Sequence, residues 1–193
     1  MDKKILIFDT ETGGVDAENS DILQLSYQVI DYGTQQVLKI VDNFFPFPED
    51  KSRVSSYAME INGLTEEYLA TKELADRSSA IEEFFEDMED CAVIVAHNGD
   101  FDKRFISATA IREGLSVPEW KPMIDTMKTT AELCGIPNTT GHGTGKYKWP
   151  RLNQLAEFLK IDMDGINLHD SSSDVELTKR CFLCLLEKKF YEI

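Results

Sequence analysis

Apolar and polar positions alternate, cluster and change period along this chain in a way that predicts its elements. Ile5 to Phe8 is a short apolar run that leads into a carboxylate cluster, and it reads as a buried strand. Ile22 to Asp31 is rich in β-formers, with Tyr27, Val29 and Ile30, and Val37 to Phe45 follows after Tyr32-Gly33-Thr34. Gly33 marks the turn between those two strands. The chain therefore opens with a three-stranded meander. Pro46 and Pro48 end the third strand, because proline cannot donate to a ladder. A loop with short helical turns follows through Ala58 to Thr65.

The period then changes. Ile81, Phe84, Phe85 and Met88 lie at helical spacing behind a cap at Ser78 or Ser79. Ala92 to Ala96 is another buried strand. His97-Asn98-Gly99 leads into a helix from about Asp100 to Glu113, closed by Gly114. Lys121 to Ile124 reads as a short strand, and Asp125 to Cys134 as helix, stopped by Gly135 and Pro137. The Gly- and Thr-rich stretch 138–150, which includes Thr139-Thr140-Gly141, reads as a mobile loop. Helices return at Leu152 to Leu159 and from about Ser171 to Lys188. A meander followed by alternating strand and helix predicts an α/β fold with a mixed central sheet and helices on its faces.

Composition narrows this only a little. The chain has 193 residues, 42% of them hydrophobic, which suits a single domain over 1–193 with a sizeable core. No stretch reaches the roughly 18–20 apolar residues that span a bilayer, and the apolar run after Met1-Asp2-Lys3-Lys4 is too short for a signal peptide. We read a cytoplasmic protein with no membrane partner. Cys181 and Cys184 form a CxxC without a second Cys/His pair, and they read as small apolar side chains of one helix face.

Charge is the awkward feature. The formal net charge is −15, whereas polyanion binders usually carry a basic face. The acid is clustered, however: the span 60–90 holds eleven Asp or Glu against Lys72 and Arg77. Lys103-Arg104 and the group Lys146, Lys148, Arg151 could form a local basic rim elsewhere, or could be ordinary surface charge.

Three carboxylate clusters carry the candidate chemistry. Asp9 and Glu11 are two apart on an extended segment, so they project together. Like charges this close call for a cation between them. His97-Asn98-Gly99-Asp100-Phe101-Asp102 follows a buried strand and opens a helix, with Asp102 in its first turn near the positive end of the dipole. Asp100 is better placed as the helix cap. In His169-Asp170-Ser171-Ser172-Ser173-Asp174, Asp170 or Ser171 caps the last helix. His169 sits outside that helix and Asp174 in its early turns, which suits a base beside a fixed ligand.

Together the clusters resemble the DnaQ-like exonucleases of the DEDDh group, a family that includes polymerase III proofreading subunits, RNase T and oligoribonuclease. Ile7-Phe8-Asp9-Thr10-Glu11-Thr12-Gly13-Gly14 matches the first motif, Val95 to Asp102 the second with its Asn-x-x-Phe-Asp, and His169 with Asp174 the third at H-x4-D spacing. Ile61-Asn62-Gly63-Leu64-Thr65 and Asp125-Thr126 are minor family-like features.

The resemblance implies an RNase H-like fold and a 3′→5′ exonuclease that releases nucleoside 5′-monophosphates. Asp9, Glu11, Asp102 and Asp174 would hold two Mg²⁺ or Mn²⁺, and His169 would be the general base. Thr10, Thr12 and Gly13 would touch the terminal nucleotide. Relatives often have Thr where this chain has Gly13, which leaves a backbone contact there. Leu25 and Phe101 would stack on terminal bases or pack the core, and Asn98 would bond across the site. The implied partner is nucleic acid with a free 3′ end, single-stranded DNA before RNA, with a DNA polymerase or other replication or repair partner to supply grip. Retention of all five chemical positions argues against a non-catalytic binding module, and the His spacing argues against an RNase H-type endonuclease. The oligomeric state cannot be read from these residues.

Overall fold

The computed structural model of the protein describes residues 3–139 and 141–193; Thr140 of the expected loop and the N-terminal Met1-Asp2 lie outside the described residues. Five strands form one sheet: β1 (Lys4–Thr12), β2 (Ile22–Asp31), β3 (Val37–Phe44), β4 (Val93–Ala96) and β5 (Met123–Asp125). Their order is β3-β2-β1-β4-β5. The meander pairs antiparallel, and β4 and β5 add to β1 in parallel. The mixed sheet and its meander are as the sequence predicts. The β2–β3 turn differs in detail. Its left-handed residue is Gln35, at φ 58, rather than Gly33, and the Asp31 carboxylate fixes the turn by accepting from the N–H and hydroxyl of Thr34, both at 2.7 Å.

The centre of the sheet is covered on both faces: β1, β2 and β4 bury both sets of alternating side chains along most of their length, whereas edge strand β3 stays largely exposed. Leu6 and Phe8 of β1 face one layer with Tyr27 and Ile94, packed under α3 (Arg77–Glu89) and α4 (Gly99–Arg112). Phe84 sits at the centre of that layer, its ring 5.4 Å from Phe8 and 5.5 Å from Tyr27. Ile5 and Ile7 face the other layer, with Val95 and with Val175 and Phe182 of α8 (Ser171–Glu187). A side helix, α7 (Leu152–Leu159), lays Leu155 and Ala156 against Leu177 and Cys181 of α8. Burying a side chain of this size contributes roughly 1.5–3 kcal/mol. Both cysteines of the CxxC are free thiols.

Several boundaries depart from the sequence reading. Asp76, not Ser78 or Ser79, caps α3, accepting from the Ser79 N–H at 2.9 Å. Two short turns, α1 (Ser56–Asn62) and α2 (Glu66–Leu69), fill the link to it. The expected helix at 125–134 splits into α5 (Thr126–Thr129) and α6 (Ala131–Cys134). The Asp125 carboxylate accepts from the N–H groups of Met127 and Lys128, at 3.0 and 3.2 Å, which starts α5. Asp100 lies inside α4 rather than capping it; the cap is Asn98, at φ 74. The stretch 137–149 is tied by backbone pairs, Pro137 to Tyr147 and Gly143 to Lys148. No helix among the described residues is long and apolar enough to cross a membrane.

Candidate active site

The site lies at the carboxyl ends of β1 and β4, where open α/β sheets hold their ligands. Strand alternation explains how its parts are aimed. Asp9 and Glu11 continue the Ile5/Ile7 face of β1, so they meet the start of α8. Thr10 continues the Leu6/Phe8 face, so it meets the first turn of α4. Asp9, Glu11, Asp102, Asp174 and His169 all line one cleft of about 580 Å³. Five residues from three distant stretches thus converge, as their spacing suggested. Ligand atoms of Glu11, His169 and Asp174 lie within 4.8 Å of one another.

The two ends of this cluster are held differently. Asp102 is buried, and its Oδ1 accepts from the Thr10 N–H at 3.0 Å and the Thr10 hydroxyl at 2.7 Å. Asp174 has one long bond, from the His169 N–H to Oδ2 at 3.3 Å. Its Oδ1 is buried with no hydrogen-bond partner. His169 is exposed and sits in the left-handed region at φ 66.

Electrostatics register the crowding. Burial, then the charges of Asp102, Asp174 and Glu11, hold the Asp9 carboxyl well above the usual range. Burial, then Asp174, raises Glu11 to about 8, although Asn62 donates to it. Burial raises Asp102 to about 7 against the lowering effect of the Thr10 bonds. Burial raises Asp174 to about 6, opposed by the His169 N–H. The family implies a divalent metal, and the residues fit one. Four carboxylates that repel one another, one with an unsatisfied buried oxygen, are a hard-cation donor set.

Not every expected contact survives. Leu25 is fully buried among Phe8, Phe84 and Phe105, so it packs the core and cannot touch a nucleotide. Gly13 is also turned away. Its N–H donates to the Asp21 carbonyl and its own carbonyl accepts from the Ser55 N–H, both at 2.8 Å, so its one backbone donor is already spent. A Cβ there would lie 2.4 Å from the Arg53 carbonyl oxygen, which explains glycine in place of threonine. Thr10 lines the main cleft and the adjoining cavity, and its hydroxyl hydrogen is spent on Asp102. The Thr12 hydroxyl donates to the Gly14 carbonyl at 2.7 Å, and Thr12 lines an adjoining cavity with Val15, Tyr57 and Ile61. Asn98 and Phe101 do line the main cleft.

Sequence reasoning missed the supporting groups. Gln24 of β2 is fully buried; its Nε2 donates to Asp170 at 2.9 Å and its Oε1 accepts from the Ser171 N–H at 3.3 Å. Ser171 donates to the Asp9 carbonyl at 2.7 Å. These bonds tie the start of α8 to β1 and β2. His97 bridges β4 to the chain beyond the 137–149 stretch. Its Nε2 donates to the Pro150 carbonyl at 3.0 Å, and Thr126 Oγ1 lies 3.0 Å from its Nδ1. Burial pushes its pKa down to about 4, so the ring is neutral. Ser171 and Asp170 stand out in the sequence only as caps and His97 only as part of its cluster, and Gln24 carries no signal there.

The comparisons with known proteins agree with this geometry. The exonuclease family of the RNase T type matches residues 6–182. The chain belongs to the exonuclease family. Among curated relatives, DNA polymerase III PolC-type from Streptococcus pyogenes serotype M1 is 28% identical over 183 residues, which cover 94% of this chain and 11% of the relative. Among solved structures, E. coli exonuclease I in complex with a dA16 oligonucleotide is 18% identical with a TM-score of 0.73, covering 96% of this chain and 41% of that chain. The nuclease domain of 3′hExo, described as a DEDDh family member bound to rAMP, is 15% identical with a TM-score of 0.71, covering 97% and 93%. These two likenesses bear on the fold, which is the RNase H-like one expected. The chain spans about a ninth of the PolC-type relatives and about two fifths of the exonuclease I structures.

Proposed function

We propose that this chain is a single-domain 3′→5′ exonuclease that hydrolyses the terminal phosphodiester bond of single-stranded DNA and releases a nucleoside 5′-monophosphate. The observation that carries the reading is the convergence of Asp9, Glu11, Asp102, Asp174 and His169 on one cleft, with Asp174 Oδ1 buried and unsatisfied. Two Mg²⁺ or Mn²⁺ held by the four carboxylates would supply Lewis acidity to the phosphate and the attacking water.

The remaining work belongs to this chain's residues. His169 accepts the proton of the attacking water, and its exposed loop position lets the imidazole reach the solvent side of the cleft. The O–P bond to the incoming water forms as the P–O3′ bond breaks, in line, and the departing 3′ oxygen takes a proton from solvent to become the new 3′-hydroxyl. Thr10 keeps the Asp102 carboxylate aimed into the cleft. The adjoining apolar cavity of Val15, Tyr57 and Ile61 suits the terminal base. DNA is favoured by the PolC-type relatives and by the exonuclease I neighbours with oligodeoxynucleotides. The 3′hExo neighbour holding rAMP keeps an RNA substrate as the second reading. A polymerase partner follows from the same PolC-type likeness and from the chain's net charge of −15, which leaves little grip of its own.

The test is a time course on 5′-labelled DNA and RNA strands of one sequence, with Mg²⁺, Mn²⁺ or EDTA, beside Asp102→Ala. Metal-dependent laddering from the 3′ end that Asp102→Ala abolishes is expected, faster on DNA. Laddering unchanged in Asp102→Ala would remove this cleft from the chemistry.

A further inference from the structure

We infer that the groove between α4 and α5, next to the catalytic cleft, is the track for the nucleotides that precede the terminal one in a single strand. The inference rests on the exonuclease reading and extends it from the scissile bond to the rest of the strand. The groove has a volume of about 490 Å³ and shares Phe101 and Trp149 with the cleft, so the two cavities join along these rings.

Its charge sets it apart. Lys103, Arg104 and Lys128 line it against a single acid, Asp100, on a chain of net charge −15. Another cleft, by contrast, is lined by Glu82, Glu86 and Glu89. Lys128 is already neutralised, since it pairs with Asp100 and stands 3.5 Å from Asp125. Lys103 and Arg104 have no ion pair among the described residues. Lys103 rests over the Trp120 ring at 5.4 Å, and Arg104 is exposed. Two cations without a carboxylate partner beside two aromatic rings match what a single strand presents, phosphates on one side and base faces on the other. A rigid duplex would need a wider basic face than two side chains supply.

The geometry also gives a direction. With the terminal base in the apolar cavity of Val15, Tyr57 and Ile61, the strand enters over Trp149 and Phe101 from the α4 side. This face escapes the acidic span 60–90, most of which lies on α2 and α3.

The test compares wild type with Lys103→Ala/Arg104→Ala, and with Lys121→Ala/Lys188→Ala as an equal charge change elsewhere. Two substrates are used: the p-nitrophenyl ester of thymidine 5′-monophosphate, which cannot reach the groove, and an oligothymidylate of about twelve nucleotides. In the groove variant KM for the oligonucleotide should rise on the order of tenfold near 0.1 M salt, and its salt slope should fall by about 1.4. KM for the small ester should not move, and the control variant should match wild type on both. An equal rise on both substrates, an equal rise in the control, or no rise on the oligonucleotide overturns the track. If wild type cuts neither substrate, the exonuclease reading fails by itself. The groove is then judged by fluorescence anisotropy of the labelled oligothymidylate in EDTA: weaker binding by the groove variant alone supports it, and equal binding by all three proteins overturns it.

Discussion

The α4 end of the site and the α8 end are built from the same residue type and held in opposite ways. Asp102, in the first turn of α4, is buried with two Thr10 donors on one oxygen. The turn behind it is fixed by Asp125, which accepts the Asn98 N–H at 3.1 Å as well as the two that start α5. Asp174, at the α8 end, has one long donor and an unsatisfied oxygen, and its neighbour His169 is exposed. One carboxylate is aimed by the fold alone. The other is left with bonding capacity to spare, and a cation is what can take it up. The contrast leaves the α4 end fixed and the α8 end open to solvent.

The largest effect should come from removing the proposed base at the open end. His169→Ala should lower turnover by about 10²- to 10⁴-fold while Mn²⁺ affinity, read by calorimetry, stays close to wild type. Comparable loss of metal affinity would make His169 a ligand instead. Next is the fixed end: Thr10→Val deletes one of two donors to Asp102 and should cost roughly 10- to 100-fold in metal affinity or activity. A Thr10→Ser variant, which keeps the donor, should recover most of it; a loss as deep as that of Thr10→Val would mean the methyl group matters and the bond does not.

A pH series sharpens the comparison further. Carboxyls whose folded pKa values are raised bind more protons folded than unfolded between their ordinary range near 4 and their folded values. For Glu11 that window runs up to about 8, and for Asp174 to about 6. Metal-free protein should therefore lose stability as pH rises from about 5 to about 8, and Mg²⁺ or Mn²⁺ should raise Tm most at the alkaline end. A metal-free Tm that climbs across this window would contradict the crowding. The smallest effect concerns the bridge at His97. His97→Leu strands the buried Pro150 carbonyl and should cost about 1–3 kcal/mol in chemical denaturation, with the 137–149 stretch becoming more susceptible to protease. Unchanged stability would show that water replaces the bridge.

Much of this was legible in the sequence. The meander, the two parallel strands and the five chemical positions follow from short apolar runs that end in acids and from three motifs in order. Leu25 was not legible because β2 buries both of its faces, so alternation says nothing about which side chain meets the site. Gly13 was misread because its reason is a carbonyl forty positions away in the chain, at Arg53. Gln24, which ties α8 to the sheet, carries no local signal; an amide in a strand looks like any surface residue until its partners at Asp170 and Ser171 arrive by tertiary packing. The basic rim was half legible. Lys103-Arg104 stood out, whereas Lys128 joined them only through the β4–β5 pairing that brings α5 beside α4.

The central claim, that the α8 end is completed by divalent cations which the four carboxylates hold together, is tested most directly by titrating Mn²⁺ into wild type and Asp174→Asn at pH 8 and pH 6. Calorimetry in buffers of different ionisation enthalpy reads affinity and proton release together. The account predicts tighter binding at pH 8, proton release that grows at pH 6, and marked weakening in Asp174→Asn. Binding that is absent in wild type, or equal in both proteins and at both pH values, would contradict it.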